Sequence, residues 1–186
     1  MAVDSYWREG PSGMSLNEVC RRAGVSKPGV YREFGSEDRL MDAVLTRYSE
    51  TVLAPAMELT AQDRPFNEVL DGLVDFMTRG PDSGPAGCLL VKMRTSRSRL
   101  GRITRAHVDK LRDTAVAAYA SWIDRAKARG DIEIPVPTNV AAQFVDTQFT
   151  NIVMQMAAGE DPAMVRAQAQ LAFAGLTGRG FATVSL

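Results

Sequence analysis

The stretch SKPGVYREF, residues 26–34, gathers the side chains best suited to chemistry on a polyanion. Lys27 and Arg32 can pair with phosphates or with the acceptor edge of guanine, and Tyr31 can donate its phenolic hydrogen to a phosphate. Gly29 permits close backbone approach. Ser15, Ser26, Pro28 and Ser36 complete the candidate DNA-contacting set. A competing interpretation is a small three-helix domain whose basic residues are merely solvated.

The elements that must position these groups are legible. Ser15 followed by Glu18 is a capping-box start. Leu16, Val19, Cys20 and Ala23 then repeat at helical spacing, one apolar face of a short helix. Gly24 stands where that helix should stop. Val25 is expected to seal the turn against the core. Ser26 recaps, Pro28 sits in the first turn of a second helix, and Val30 and Phe34 point inward. Helix, glycine turn and second helix make a helix-turn-helix, whose second helix presents its N-terminal residues to a major groove.

Residues 15–45, and above all AGVSKPGVYREFGSEDRLMDAVL, resemble the N-terminal domain of the tetracycline-repressor (TetR) family of bacterial transcription regulators. The resemblance rests on the turn Ala23 to Ser26, on Tyr31 inside the recognition helix, on Phe34 closing it, and on Leu40 opening the next helix. It implies an all-α chain with a helix-turn-helix domain over 1–45 and a helical ligand-binding and dimerisation domain over 46–186. Many family members carry a phosphate-contacting lysine just after the recognition helix, where this chain has Glu37 beside Asp38. Two carboxylates suit a helix N-terminus but repel DNA, so that contact should shift to Ser36, to backbone amides or elsewhere. The family's first helix is longer than VDSYWREG allows before Gly10-Pro11, and the chain is expected to begin part-way into it.

Other chemistries find little support. One histidine, His107, and two scattered cysteines provide no metal-ligand spacing, and no glycine-rich phosphate loop or GxSxG elbow occurs. The expectation is no enzyme activity and no cofactor. No apolar run reaches the ~18–20 residues of a membrane span, no secretory signal is visible, and sparse cysteine fits a reducing cytoplasm. Cys88 reads as a buried apolar thiol or, with Lys92 and Arg94 nearby, as a redox sensor.

Net charge is zero, and residues 1–47 hold seven basic and seven acidic residues. Placement must therefore carry any affinity for DNA, with Arg21, Arg22, Lys27 and Arg32 clustered against Glu18 and Glu33. A second cationic run, KMRTSRSRLGRITRAHVDKLR, carries eight basic residues and one acid, Asp109. It admits a solvated face, an accessory DNA contact or a site for an anionic effector.

Beyond residue 45 the periodicity predicts helices over roughly 37–60, from Pro65 to Arg79, a short one after Gly87-Cys88, and 102–129, 138–158 and 162 onward. The final two are apolar on more than one side, which suggests burial within one chain or pairing with a second copy. A homodimer is expected, with Phe144, Phe149, Ile152, Val165, Ala169, Ala172, Phe173 and Leu176 at its interface. Two recognition helices would then read a palindromic operator. Met77, Met93, Tyr119, Trp122, Phe149 and Met154 are candidates to line a small-molecule pocket, or are ordinary core; His107 is a polar handle there or a structural histidine. The expected function is a repressor released by a small-molecule effector; regulation by a protein partner or by abundance alone is the alternative.

Overall fold

The computed structural model describes residues 1–80 and 84–177, and all regular structure among them is helical. The helices are α1 (Ala2–Gly13), α2 (Leu16–Ala23), α3 (Lys27–Phe34), α4 (Glu37–Tyr48), α5 (Ala54–Ala61), α6 (Phe66–Met77), α7 (Leu89–Thr95), α8 (Arg102–Arg129), α9 (Thr138–Ala158) and α10 (Pro162–Thr177). Part of the PDSGPAG turn, residues 81–83, lies outside the described residues.

The chain divides into two compact units. The first joins Met1–Ala54 to Cys88–Arg112; the second joins Pro55–Gly87 to the residues from Asp113 onward. The N-terminal unit is therefore larger than the segment 1–45 suggested by the motif. It recruits α7 and the first turns of α8, because the three short helices of the motif cannot bury their own apolar faces alone.

Helices α2, α3 and α4 each start on a serine. Ser15 Oγ accepts from the Glu18 amide, Ser26 Oγ from Gly29 and Ser36 Oγ from Arg39, all at 3.2 Å. Gly24, at φ 64°, ends α2 in the left-handed conformation. Against expectation Val25 is 48% exposed. Its amide closes the turn on the Cys20 carbonyl at 3.0 Å, so the backbone seals the turn and the side chain is left in solvent. The unit's core contains Tyr6, Leu16, Val19, Val30, Leu40, Leu45, Tyr48, Leu89, Met93 and Val108, with Phe34 partly buried against it and Trp7 set edge-on to Tyr48 at 5.0 Å.

The helix foreseen over 37–60 is interrupted. A π-helical segment, Ser49–Leu53, separates α4 from α5. Pro55 has no N–H to offer the Thr51 carbonyl and its ring crowds that position. The hydroxyls of Thr46, Ser49 and Thr51 also bond to carbonyls of the preceding turn. Both effects loosen the regular ladder and favour a wider turn.

In the second unit, Phe66 lies flat on Trp122 with ring centroids 4.2 Å apart, and Leu70, Leu73, Tyr119, Val145, Phe149, Val165 and Phe173 close around them. Asp131 accepts from the Phe66 amide at 3.0 Å and so caps α6 from a distance. Gly87, at φ 84°, packs against α9 where a Cβ would come within 2.7 Å of Ala157 Cβ.

Candidate nucleic-acid interface

The helix-turn-helix presents α3 with one face buried and one free. Val30 is buried, Phe34 is partly buried, and Lys27, Pro28, Tyr31 and Arg32 are exposed. Gly29 is half-buried, and its amide donates to Ser26 Oγ. Lys27 and Arg32 have no ion pair among the described residues, so their charges are available to a ligand. Ser15, Ser26 and Ser36 are capping residues whose oxygens accept local amides, and each marks a helix start on the surface of this unit.

The basic cluster foreseen around the motif is smaller than its residue count. Arg21 and Arg22 both reach Glu18 at 2.6 Å, and Arg22 also pairs with Glu9. Hydrogen bonds from Arg21, then Arg22, pull the Glu18 carboxyl down to about 2. Two of the four clustered cations are thus already matched.

Asp38 is used inside the protein. Its carboxylate accepts from the Ile103 amide at 2.9 Å, the Thr104 amide at 3.0 Å and the Thr104 hydroxyl at 2.6 Å. It caps the start of α8, which has only Leu100-Gly101 before it in sequence. Burial acts to raise the Asp38 carboxyl, but the bonds from Thr104 and Ile103 outweigh it, leaving it below the ordinary carboxylate value. One turn on, Asp42 Oδ1 meets His107 Nδ1 at 2.7 Å, which makes His107 structural. Lys92 Nζ donates to the carbonyls of Trp7 at 2.6 Å and Arg8 at 2.9 Å, ahead of the kink at Gly10. No spacing within residues 1–45 announces these bonds; the lack of a local cap before Ile103 was the available signal.

The proposed pocket residues do not come together as a set. Met93 is buried in the core of the first unit, whereas Tyr119, Trp122 and Phe149 fill the core of the second. Met77 is partly buried against that second core, and Met154 is 50% exposed on the outer side of α9. Helical spacing alone cannot say which core a residue enters. Cys88 is hydrogen-bonded to the Tyr48 hydroxyl, and burial pushes its thiol up, the opposite of an activated thiolate.

The expected dimer residues are also redistributed. Phe149, Ile152, Val165, Ala169, Phe173 and Leu176 are buried in the chain's own core, and Ala172 is partly buried. They pack α9 and α10 against each other and against α6, so they are not available to a second copy. Phe144 alone of that set is exposed, at 36%, its ring edge-on to Phe173. The outward apolar residues are Val140, Phe144 and Met154 on α9 and Met164 and Leu171 on α10.

An all-helical chain whose serine-capped helix-turn-helix leaves a cationic, tyrosine-bearing helix face free has the architecture of a bacterial DNA-binding regulator. Residues 1–44 match the family described as bacterial regulatory proteins, tetR family. It is 28% identical over 116 residues to the HTH-type transcriptional repressor BdcR of Escherichia coli (strain K12). That match takes in 61% of this chain and 54% of BdcR, so the chain spans about half the length of this relative. Among solved structures, a TetR-family regulator from Agrobacterium tumefaciens superposes with a TM-score of 0.83 at 15% identity, over 95% of this chain and 93% of that one. The regulator CifR, solved as a cysteine mutant with a 26-base-pair double-strand operator, gives a TM-score of 0.77 at 19% identity, over 92% and 91%. These superpositions establish a shared fold. No helix among the described residues is long and apolar enough to cross a membrane.

Proposed function

We propose that the chain is a sequence-specific transcriptional repressor that binds a palindromic operator as a homodimer in the bacterial cytoplasm. The observation that carries this is the free face of α3: Lys27, Tyr31 and Arg32 stand exposed and unpaired while Val30 anchors the same helix in the core. That a relative is named a repressor and that a structural neighbour was solved on its operator support the same conclusion.

Support for the dimer comes from the outer side of α9 and α10. Val140, Phe144, Asn151, Met154 and Ala158 recur at spacings that keep them on one stripe, and Met164 and Leu171 fall seven apart. All are exposed. An exposed apolar stripe at this spacing is a seam for a partner helix. A dimer that reads two half-sites one turn of duplex apart needs its recognition helices about 34–36 Å apart.

Release by a small molecule has a narrower basis. Trp122 Nε1 and Asn67 Oδ1 are buried in the second unit without a hydrogen-bond partner, an unusual cost for a folded core. A ligand with both a donor and an acceptor would satisfy them, and it must favour the DNA-incompetent state to act. Selection of bound sites from random duplex DNA tests the whole proposal: two inverted half-sites about one turn apart are expected. Retention of no sequence above competitor would overturn it. A thermal-shift screen tests the effector separately, through compounds that raise stability and release operator.

A further inference from the structure

We infer that the arginine-rich segment between α7 and α8 is a second phosphate-binding surface, at which Arg99 and Arg102 grip the DNA backbone beside the helix-turn-helix. This rests on the DNA-binding function proposed above and says how a chain of zero net charge achieves it.

The starting observation is how charge divides between the two units. The whole chain holds 22 basic and 22 acidic residues. Residues 1–54 and 88–112, the first unit, contain fifteen basic residues against nine acidic ones, a surplus of six. The second unit carries the matching deficit. Residues 1–54 alone would be slightly acidic, with seven against eight. The surplus therefore belongs to residues 88–112, which reach the DNA-reading unit only through folding.

Three sets of bonds fix where that segment lies. Lys92 Nζ holds the carbonyls of Trp7 and Arg8 in α1, Ser12 Oγ donates to Ser96 Oγ at 3.0 Å, and Asp38 caps Ile103 and Thr104. Residues 96–104 thus run from the end of α1, three residues before the Ser15 cap, to the start of α4, two residues after the Ser36 cap. They border the helix-turn-helix at the two helix starts that flank the recognition helix.

Within the segment the arginines divide by partner. Arg97 is paired with Asp109, and Arg105 donates to the Leu100 carbonyl at 2.9 Å. Arg99 and Arg102 are exposed and carry no ion pair among the described residues. Asp38, whose carboxyl the Arg102 charge helps to hold down, has its carboxylate taken up by the α8 amides. Glu37 and Asp38 put two carboxylates in the first turn of α4, and the segment carrying Arg99 and Arg102 brings positive charge beside them from another part of the chain. A guanidinium suits this work because its fork donates to two phosphate oxygens at once.

The test is the salt dependence of binding by the full-length protein. The probes are an operator recovered by selection and a duplex of scrambled sequence. Each phosphate neutralised contributes about 0.9 to the slope of log affinity against log salt. The double variant Arg99→Gln/Arg102→Gln should lower that slope by about 1.8 per protomer and weaken both probes alike by about tenfold or more. The ratio of operator to scrambled affinity should hold, since phosphates carry no sequence information. Arg64→Gln/Arg79→Gln removes equal charge from the acidic unit and should leave the slope unchanged. A folded Arg99→Gln/Arg102→Gln protein with wild-type slope and affinity overturns the inference while leaving the DNA-binding function standing. So does an equal fall in the control, which would indicate a general field. A wild-type protein that binds neither duplex overturns both.

Discussion

Asp38 and Thr104 are locked together across 66 residues of sequence: the Thr104 hydroxyl lies 2.6 Å from Asp38 Oδ1 and 2.9 Å from the Asp38 carbonyl oxygen. Thr104 is fully buried, and the same carboxylate receives its amide. The start of α4, immediately after the recognition helix, is thereby tied to the start of α8.

Asp38→Ala should leave the Ile103 and Thr104 amides without a cap and cost about 1–3 kcal/mol, read as a lower melting temperature. Asp38→Asn should lie between that variant and wild type. The carboxyl's folded-state value is lowered, so its contribution is complete above the unfolded value, about 4, and fades as pH falls through the folded one. The stability gap between wild type and Asp38→Asn should be full at neutral pH and close in acid. A constant gap would contradict the lock.

Gly101 exists to let that carboxylate in. An added Cβ would lie 2.2 Å from Asp38 Cγ. Gly101→Ala should destabilise by about 1–3 kcal/mol, and Gly101→Ala in an Asp38→Ala background should cost much less. Gly24→Asn, at a left-handed position with open space around it, should be nearly neutral. Thermal melts of the four variants check the set.

Phe144 and Leu171 should separate association from folding. Phe144→Glu/Leu171→Glu places charge on the outward stripe and should give a folded monomer by sedimentation, with operator affinity lost. Phe173→Ala empties a fully buried site in the chain's own core and should cost about 3–5 kcal/mol. A charged double variant that stays dimeric would move the interface elsewhere.

Tyr31 and Lys27 should show the reverse behaviour. Tyr31 is 46% exposed, so Tyr31→Ala and Lys27→Ala should shift stability by no more than about 0.5 kcal/mol. Operator affinity should fall by about 1–3 kcal/mol for each contact that reads a base. Electrophoretic mobility shifts beside thermal melts measure both.

The helix-turn-helix was legible because its signals are local. A serine three residues before the amide it caps, a glycine at a left-handed turn and an apolar repeat at helical spacing all act within one or two turns of backbone. They identify α2, α3 and the outward face of Lys27, Tyr31 and Arg32 without knowledge of the rest of the chain. Gly130 and Gly159 ended their helices for the same reason.

What only the tertiary structure decided is which surfaces those helices spend on one another. A stripe of Val, Phe, Ile and Met on α9 reads the same whether it faces α6 or a second copy, since burial depends on residues far away in sequence. Phe149 and Phe173 went inward; Val140 and Leu171 did not. Met77 and Met93, sixteen residues apart, entered different cores. Charge followed the same rule. Residues 1–54 and 88–112 form one cationic unit only because Lys92, Ser96 and Thr104 find Trp7, Ser12 and Asp38, and contacts over such separations leave no periodic trace in a sequence.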